Sequence, residues 1–444
     1  MDRSKQFFVF TLVFIAVLSL WIRISYFQQT IVNTPIRGDA RQYVLYANNI
    51  VQNGTFSLAS DPAFVKPDSY RSPGYPFLIA LSILGERVLG VNSYNLLMYT
   101  QAILGVLIAL ISFMTARLFL TTKWSVAPAL LVALSPHMIS LGNNILSETL
   151  YSFLLLVAVY CFSYAFVRGT KWPLFVSGLF FGLAYLANQV VFFAPLLLVV
   201  AAIIYFYKKN EKIVAERSAL ISFVIIFFIV VGAWTARNII NVPAGQSSGS
   251  SRLLNNLVVG AHSDFYDIYR AGPQYLKDNP VTEDEKIING SYKTFVKLMF
   301  GRIKEDPGHY LKWYMLDKPL LLWSWNILVG QDDIYVFPVI ESLYQKSRLA
   351  LASYSIMKSL HYWLLSCSVL GIFYLLKNGE RAQVVLIFNY VVLVYMSFVY
   401  VVTQAEPRYS IPFRPEMYLC AVFFLSKTTE YLSSIRDRIR QVNG

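Results

Sequence analysis

The chain predicts an all-α integral membrane protein of about ten transmembrane helices, with two long extracytoplasmic loops that contain interfacial helices. Three observations predict it. Of its 444 residues 56% are hydrophobic and only 14% charged, where a soluble domain carries about 25% charged residues. Apolar stretches of roughly 20 residues, the length that crosses a bilayer as a helix, recur along it. The basic residues, which give a net charge of +13, cluster where short connections would follow such spans.

Ten segments are expected to span: Phe7–Phe27, Tyr94–Leu120, Trp124–Leu141, Leu150–Val167, Leu174–Asn188, Phe192–Tyr207, Leu220–Ala236, Tyr354–Leu376, Val384–Val402 and Ile411–Leu432. Pro136 and Pro195 interrupt the third and sixth. With that count, Arg3/Lys5, Arg117/Lys123, Arg168/Lys171, Lys208/Lys209/Lys212/Arg217, Lys377/Arg381 and Arg436/Arg438/Arg440 all fall on one side. The positive-inside rule makes that side the cytoplasm, with both termini there. Basic patches for nucleic acid would instead gather on one soluble face. The first span lacks a small-residue cleavage site, so it reads as a retained anchor, with Arg23 snorkelling to the headgroups. Cys161, Cys367 and Cys420 lie within spans and imply no disulfide framework.

The expected loops cover residues 28–92 and 237–353 of a single membrane domain, 1–444, and place the working surface outside. In the first, Asp39–Asn53 reads as a short amphipathic helix with Tyr43, Ala47 and Ile50 on one face, closed by Gly54. Tyr75–Leu89 is apolar enough to lie in the interface. In the second, Gly245–Ser251 reads as flexible, and Glu283–Phe300 and Pro307–Trp323 as interfacial helices. Asn53-Gly54-Thr55 and Asn289-Gly290-Ser291 match the N-glycosylation triplet, which arises often by chance. No internal repeat of the transporter kind is present.

Asp39 is the leading candidate for chemistry. An acid with Gln42 three residues on also spells a capping box, and the two roles are compatible, since helix N–H donors favour an ionised carboxylate. Glu148, at the outer end of the fourth span, is the second acid; a carboxylate at membrane depth is a functional candidate, although the macrodipole also favours an acid there. Arg71, Arg237 and Arg408 stand where loop meets membrane, against the positive-inside pattern, and Arg suits phosphate because its planar fork donates in pairs. Lys318 is a further candidate of that kind. No Cys/His metal constellation, nucleotide-binding glycine loop or Ser/His/Asp spacing appears, and the sequence names no cofactor.

Several motifs occur in a telling order: Gly38-Asp39 with Tyr43 and Ala47, then Arg71-Ser72-Pro73-Gly74-Tyr75-Pro76. Ser135-Pro136 with Glu148, Gly178–Leu186, Trp234–Asn238 and Arg408-Tyr409 with Pro412 follow. In this the chain resembles the GT-C superfamily of multi-pass glycosyltransferases, most nearly the bacterial branch related to protein O-mannosyltransferases and the aminoarabinose transferase of lipid A. The resemblance implies a polyprenyl-phosphate sugar as donor, used on the outer face of the plasma membrane. It maps the catalytic carboxylate onto Asp39 and the substrate pocket onto Tyr43, Tyr75 and Tyr409. Many relatives carry a second adjacent acid where this chain has Ala40, which counts against the protein mannosyltransferases proper and against a metal. A transporter or flippase of lipid-linked sugars would place ionisable groups at the bilayer midplane, whereas here they gather at outer ends. A surface-polysaccharide polymerase or ligase would differ in taking a pyrophosphate-linked donor.

Overall fold

The computed structural model describes residues 3–208, 217–243, 245–270, 279–378 and 385–443. Lys209, Lys212 and Arg381 of the expected basic clusters, and Val384 of the ninth span, lie outside them. The helices are, in order, α1 (Arg3–Gln29), α2 (Asp39–Asn53), α3 (Gly74–Leu89), α4 (Ser93–Ala116), α5 (Thr122–Leu134), α6 (Pro136–Leu141) and α7 (Glu148–Arg168). Then come α8 (Trp172–Ala187), α9 (Ala194–Lys208), α10 (Arg217–Asn241), α11 (Gly249–Ala261), α12 (Phe265–Arg270), α13 (Pro280–Ile288) and α14 (Tyr292–Glu305). The chain ends with α15 (Pro307–Lys312), α16 (Lys318–Leu322), α17 (Leu343–Lys346), α18 (Arg348–Asn378), α19 (Val385–Val402) and α20 (Arg414–Asn443).

Helix lies over the described part of every expected span. Among the described residues five helices, α1, α4, α7, α10 and α18, are long and apolar enough to cross a membrane by length and composition; α5, α8, α19 and the segment Gln189–Ile204 are apolar but shorter. The spans pack through contacts of α7 with α8, α8 with α10, α4 with α1 and α5, and α18 with α20. Between α8 and α10 the approach is too close for side chains: a Cβ added to Gly178 would lie 2.5 Å from the Phe223 carbonyl oxygen. Small residues one turn apart, Gly178 and Gly182, thus let the two backbones meet, the usual device where lipid removes the hydrophobic drive between helices.

Two expectations are corrected here. Arg23 does not snorkel; it is 6% exposed and turned inward. Its guanidinium donates to Ser19 Oγ at 2.6 Å and to the Ala133 and Val132 carbonyls at 3.3 Å. Proline at 136 has no N–H to offer Val132 four residues back, and α5 stops at Leu134, so Arg23 satisfies carbonyls that the broken span leaves unpaired. Likewise, Gly245–Ser251 is not all flexible linker. Ser248 caps α11, its side chain accepting from the Ser251 N–H while Ser251 answers the Ser248 N–H, and Ser69 N–H donates to the Ser247 carbonyl at 3.1 Å.

The second loop is built of short pieces. The expected helix Glu283–Phe300 is α13 and α14, separated at Asn289, whose φ is 44°. The expected Pro307–Trp323 is α15, a π turn at Trp313–Asp317, and α16. Leu254, Val258, Val259, Val281 and Ile288 form a small core of their own. Asp284 pins it, accepting both terminal Arg302 nitrogens at 2.5 and 2.6 Å. Strands β1 (Ile31–Val32) and β2 (Val339–Glu341) pair antiparallel and tie the two loops together.

Candidate active site

Gly38 lets the chain turn into α2. Its φ of 51° with ψ of −125° is a conformation in which a Cβ would be strained. Asp39 follows as the first helical residue. No side chain caps this helix, so the capping box read from Asp39 and Gln42 does not form; both side chains point elsewhere. On the buried face, Ala40, Tyr43 and Ala47 recur at helical spacing and seat α2 on the main core.

Asp39 sits between two guanidinium groups. Arg71 donates to its Oδ1 at 2.6 Å, and Arg408 to its Oδ2 at 3.1 Å. Gln42, instead of capping, accepts from Arg71 Nε at 2.6 Å and fixes the fork. Both arginines are buried, at 5% and 8% exposure, while the Asp39 side chain keeps 32%. Burial by itself would raise the Asp39 carboxyl; the charges of Arg71, Arg408 and Arg252, with the Arg71 hydrogen bond, hold it far below the usual carboxylate range.

Arg408 is shared. Its Nε lies 3.4 Å from Glu148 Oε1 and 3.6 Å from Glu406 Oε2. Glu148 opens α7, and the preceding Ser147 hydroxyl meets Tyr43 OH at 3.3 Å. Tyr75 packs edge-on against Tyr43 at 5.1 Å and donates to Gln101 at 2.9 Å, while the Arg71 guanidinium lies 5.2 Å over the Tyr43 ring. Tyr43 and Tyr75 are thus the packed floor under the charges. Glu406 is fully buried, and burial pushes it up to about 7 against the pull of Arg408.

Asp39, Glu148, Arg71, Arg408, Tyr43, Tyr75 and Tyr409 come together; Arg237 and Lys318 do not join them. Arg237 donates to the Asp68 carbonyl at 2.7 Å and the Phe56 carbonyl at 3.2 Å, tying α10 to the first loop. Lys318 donates to the Gly260 and Thr403 carbonyls at 2.9 and 2.7 Å, and burial pulls its ammonium down to about 7.

A cavity of about 430 Å³ adjoins the charged group, with Tyr409, Ser72, Arg252, Asn256, Gln189 and Tyr400 among its lining. Exposed Phe193 and Leu253 border it. The guanidinium of Arg252, a residue absent from the sequence-derived candidates, makes no hydrogen bond or ion pair among the described residues, yet its charge reaches Asp39. The available signal was Ser248 and Ser251 in capping spacing ahead of Leu253, Leu254 and Leu257. That pattern marks a helix start, with Arg252 in its first turn.

No family model matches the chain, and no curated protein sequence matches it. Solved structures do. The chain is similar to the oligosaccharyltransferase AglB from Archaeoglobus fulgidus, in complex with an inhibitory peptide and a dolichol-phosphate. The TM-score is 0.55 at 15% identity, over 100% of this chain and 53% of that one. The apo form gives 0.53 at 15%, over 98% and 52%. ArnT from Cupriavidus metallidurans, bound to undecaprenyl phosphate, gives 0.50 at 11%, over 96% and 61%. The chain therefore spans between half and two thirds of the length of these structures. At 11–15% identity the likeness is one of fold.

Proposed function

We propose that this protein is an inverting glycosyltransferase. It moves a sugar from a polyprenyl-phosphate carrier to an acceptor hydroxyl on the extracytoplasmic face of the plasma membrane, and its termini are cytoplasmic. The observation that carries the reading is Asp39, partly exposed beside a cavity and held at 2.6 and 3.1 Å by two buried arginines. AglB and ArnT, captured with dolichol-phosphate and undecaprenyl phosphate, support a prenyl-phosphate ligand for this fold.

In this reading Asp39 takes the proton of the acceptor hydroxyl. The freed oxygen attacks the anomeric carbon from the face opposite the phosphate. The carbon–oxygen bond to phosphate breaks, and its electron pair leaves with the polyprenyl phosphate. The passage resembles glycoside hydrolysis in its oxocarbenium-like state. Arg71, Arg408 and Arg252 face the charge that develops on the leaving phosphate. Glu148 and Glu406 aim Arg408.

The resting pair geometry makes Asp39 a weak base, because two cations stabilise its ionised form. An arriving phosphate competes for the same guanidinium groups and returns basicity to the carboxylate. Donor binding therefore primes the base before the acceptor is engaged.

The test is mass spectrometry of glycans and glycolipids from cells lacking the protein, complemented with wild type or Asp39→Asn. One product loses a single sugar, and only wild type restores it. An unchanged profile in the deleted cells, with undecaprenyl phosphate failing to bind purified protein, overturns the reading.

A further inference from the structure

We infer that the cavity beside Asp39 takes an uncharged, hydroxyl-rich sugar and discriminates against an aminosugar. This rests on the glycosyltransferase reading above and names the donor's headgroup.

The argument is the lining. Among the described residues around the cavity there is one cation, Arg252, and no carboxylate. The acids nearby, Asp39, Glu148 and Glu406, are all engaged with Arg71 or Arg408. An ammonium group on the sugar would lose water and find no free anion in the wall, which is costly. The side-chain amides of Gln189 and Asn256, by contrast, make no hydrogen bond among the described residues. Each amide offers two donors and an acceptor, the complement of a hydroxyl, which both donates and accepts. Half-buried at the cavity wall, they are open to such partners. Tyr400 and Tyr409, stacked at 5.0 Å, add a flat aromatic wall. With the phosphate drawn to Arg252, Arg71 and Arg408, the amides fall to the sugar.

The experiment uses the full chain, purified into lipid nanodiscs at pH 7. Its affinity is measured for undecaprenyl phosphate alone and for the same carrier bearing a neutral hexose, an aminosugar or a uronic acid. The neutral donor binds at least about tenfold more tightly than the aminosugar donor, a difference of about 1.4 kcal/mol. Asn256→Asp or Gln189→Glu, each placing an acid in the wall, narrows that ratio by about tenfold. The inference is overturned if the aminosugar or uronic donor binds as tightly as the neutral one, or if neither substitution moves the ratio. Failure of bare undecaprenyl phosphate to bind removes the glycosyltransferase reading itself, whereas normal binding of the bare carrier without sugar selectivity removes only this inference.

Discussion

Asp39→Asn separates the chemical role of this side chain from its structural one. The amide keeps the shape and one acceptor oxygen, so a hydrogen bond to Arg71 or Arg408 survives, but it cannot take a proton. Leaving a buried charge without its partner costs about 3–5 kcal/mol. Here the remaining oxygen and the 32% exposure of the Asp39 side chain reduce that to about 1–3 kcal/mol, the range for one altered charged hydrogen bond. Transfer should fall by about 10²–10⁴, the contribution of a positioned base, or about 3–5 kcal/mol of barrier. Donor affinity should hold or rise, because the phosphate no longer competes with a carboxylate for two guanidinium groups. The assay pairs sugar transfer in complemented cells with binding of undecaprenyl phosphate to purified protein. Transfer at the wild-type rate would remove Asp39 as the base. Donor binding lost in step with transfer, at an unchanged melting temperature, would make it a binding residue instead.

Three more outcomes follow from the geometry. Glu406 is held near 7 against an ordinary 4.5, so its burial destabilises the ionised form. The stability tied to its proton is complete below about 4.5 and is lost as pH rises through about 7, and Glu406→Gln should flatten that part of the melting-temperature profile. Arg237→Ala should lower thermal stability by about 1–3 kcal/mol through two lost bonds to carbonyls and leave undecaprenyl phosphate affinity within about twofold; a large affinity loss would return Arg237 to the phosphate site. Gly178→Ala should cost about 1–3 kcal/mol, read by thermal melting, since its Cβ would meet the Phe223 carbonyl at 2.5 Å; an unchanged melting point would show that α8 and α10 separate freely.

Most of the architecture was legible because a bilayer leaves few options. Backbone groups in hydrocarbon must be satisfied within the helix, so apolar length alone locates spans. Asp39 and Glu148 stood out as candidates for a related reason: an acid expected at the membrane boundary is expensive. What composition could not separate was one loop-end arginine from another. Arg71, Arg237 and Arg408 look alike in sequence, but Arg237 meets two carbonyls of the first loop whereas Arg71 and Arg408 meet a carboxylate. That choice is made by which loop folds over which span, a long-range event without a local signature. Arg23 was misread for the same reason. Its partners lie more than a hundred residues away, on a helix that Pro136 interrupts. Arg252 went unnoticed because a run of Gly and Ser suggested no structure, although Ser248 and Ser251 were a helix start. Cations already satisfied by backbone hold the fold; Arg252, whose guanidinium has no hydrogen-bond or ion-pair partner among the described residues and lines the cavity, is in the proposed reading a cation left to meet a phosphate.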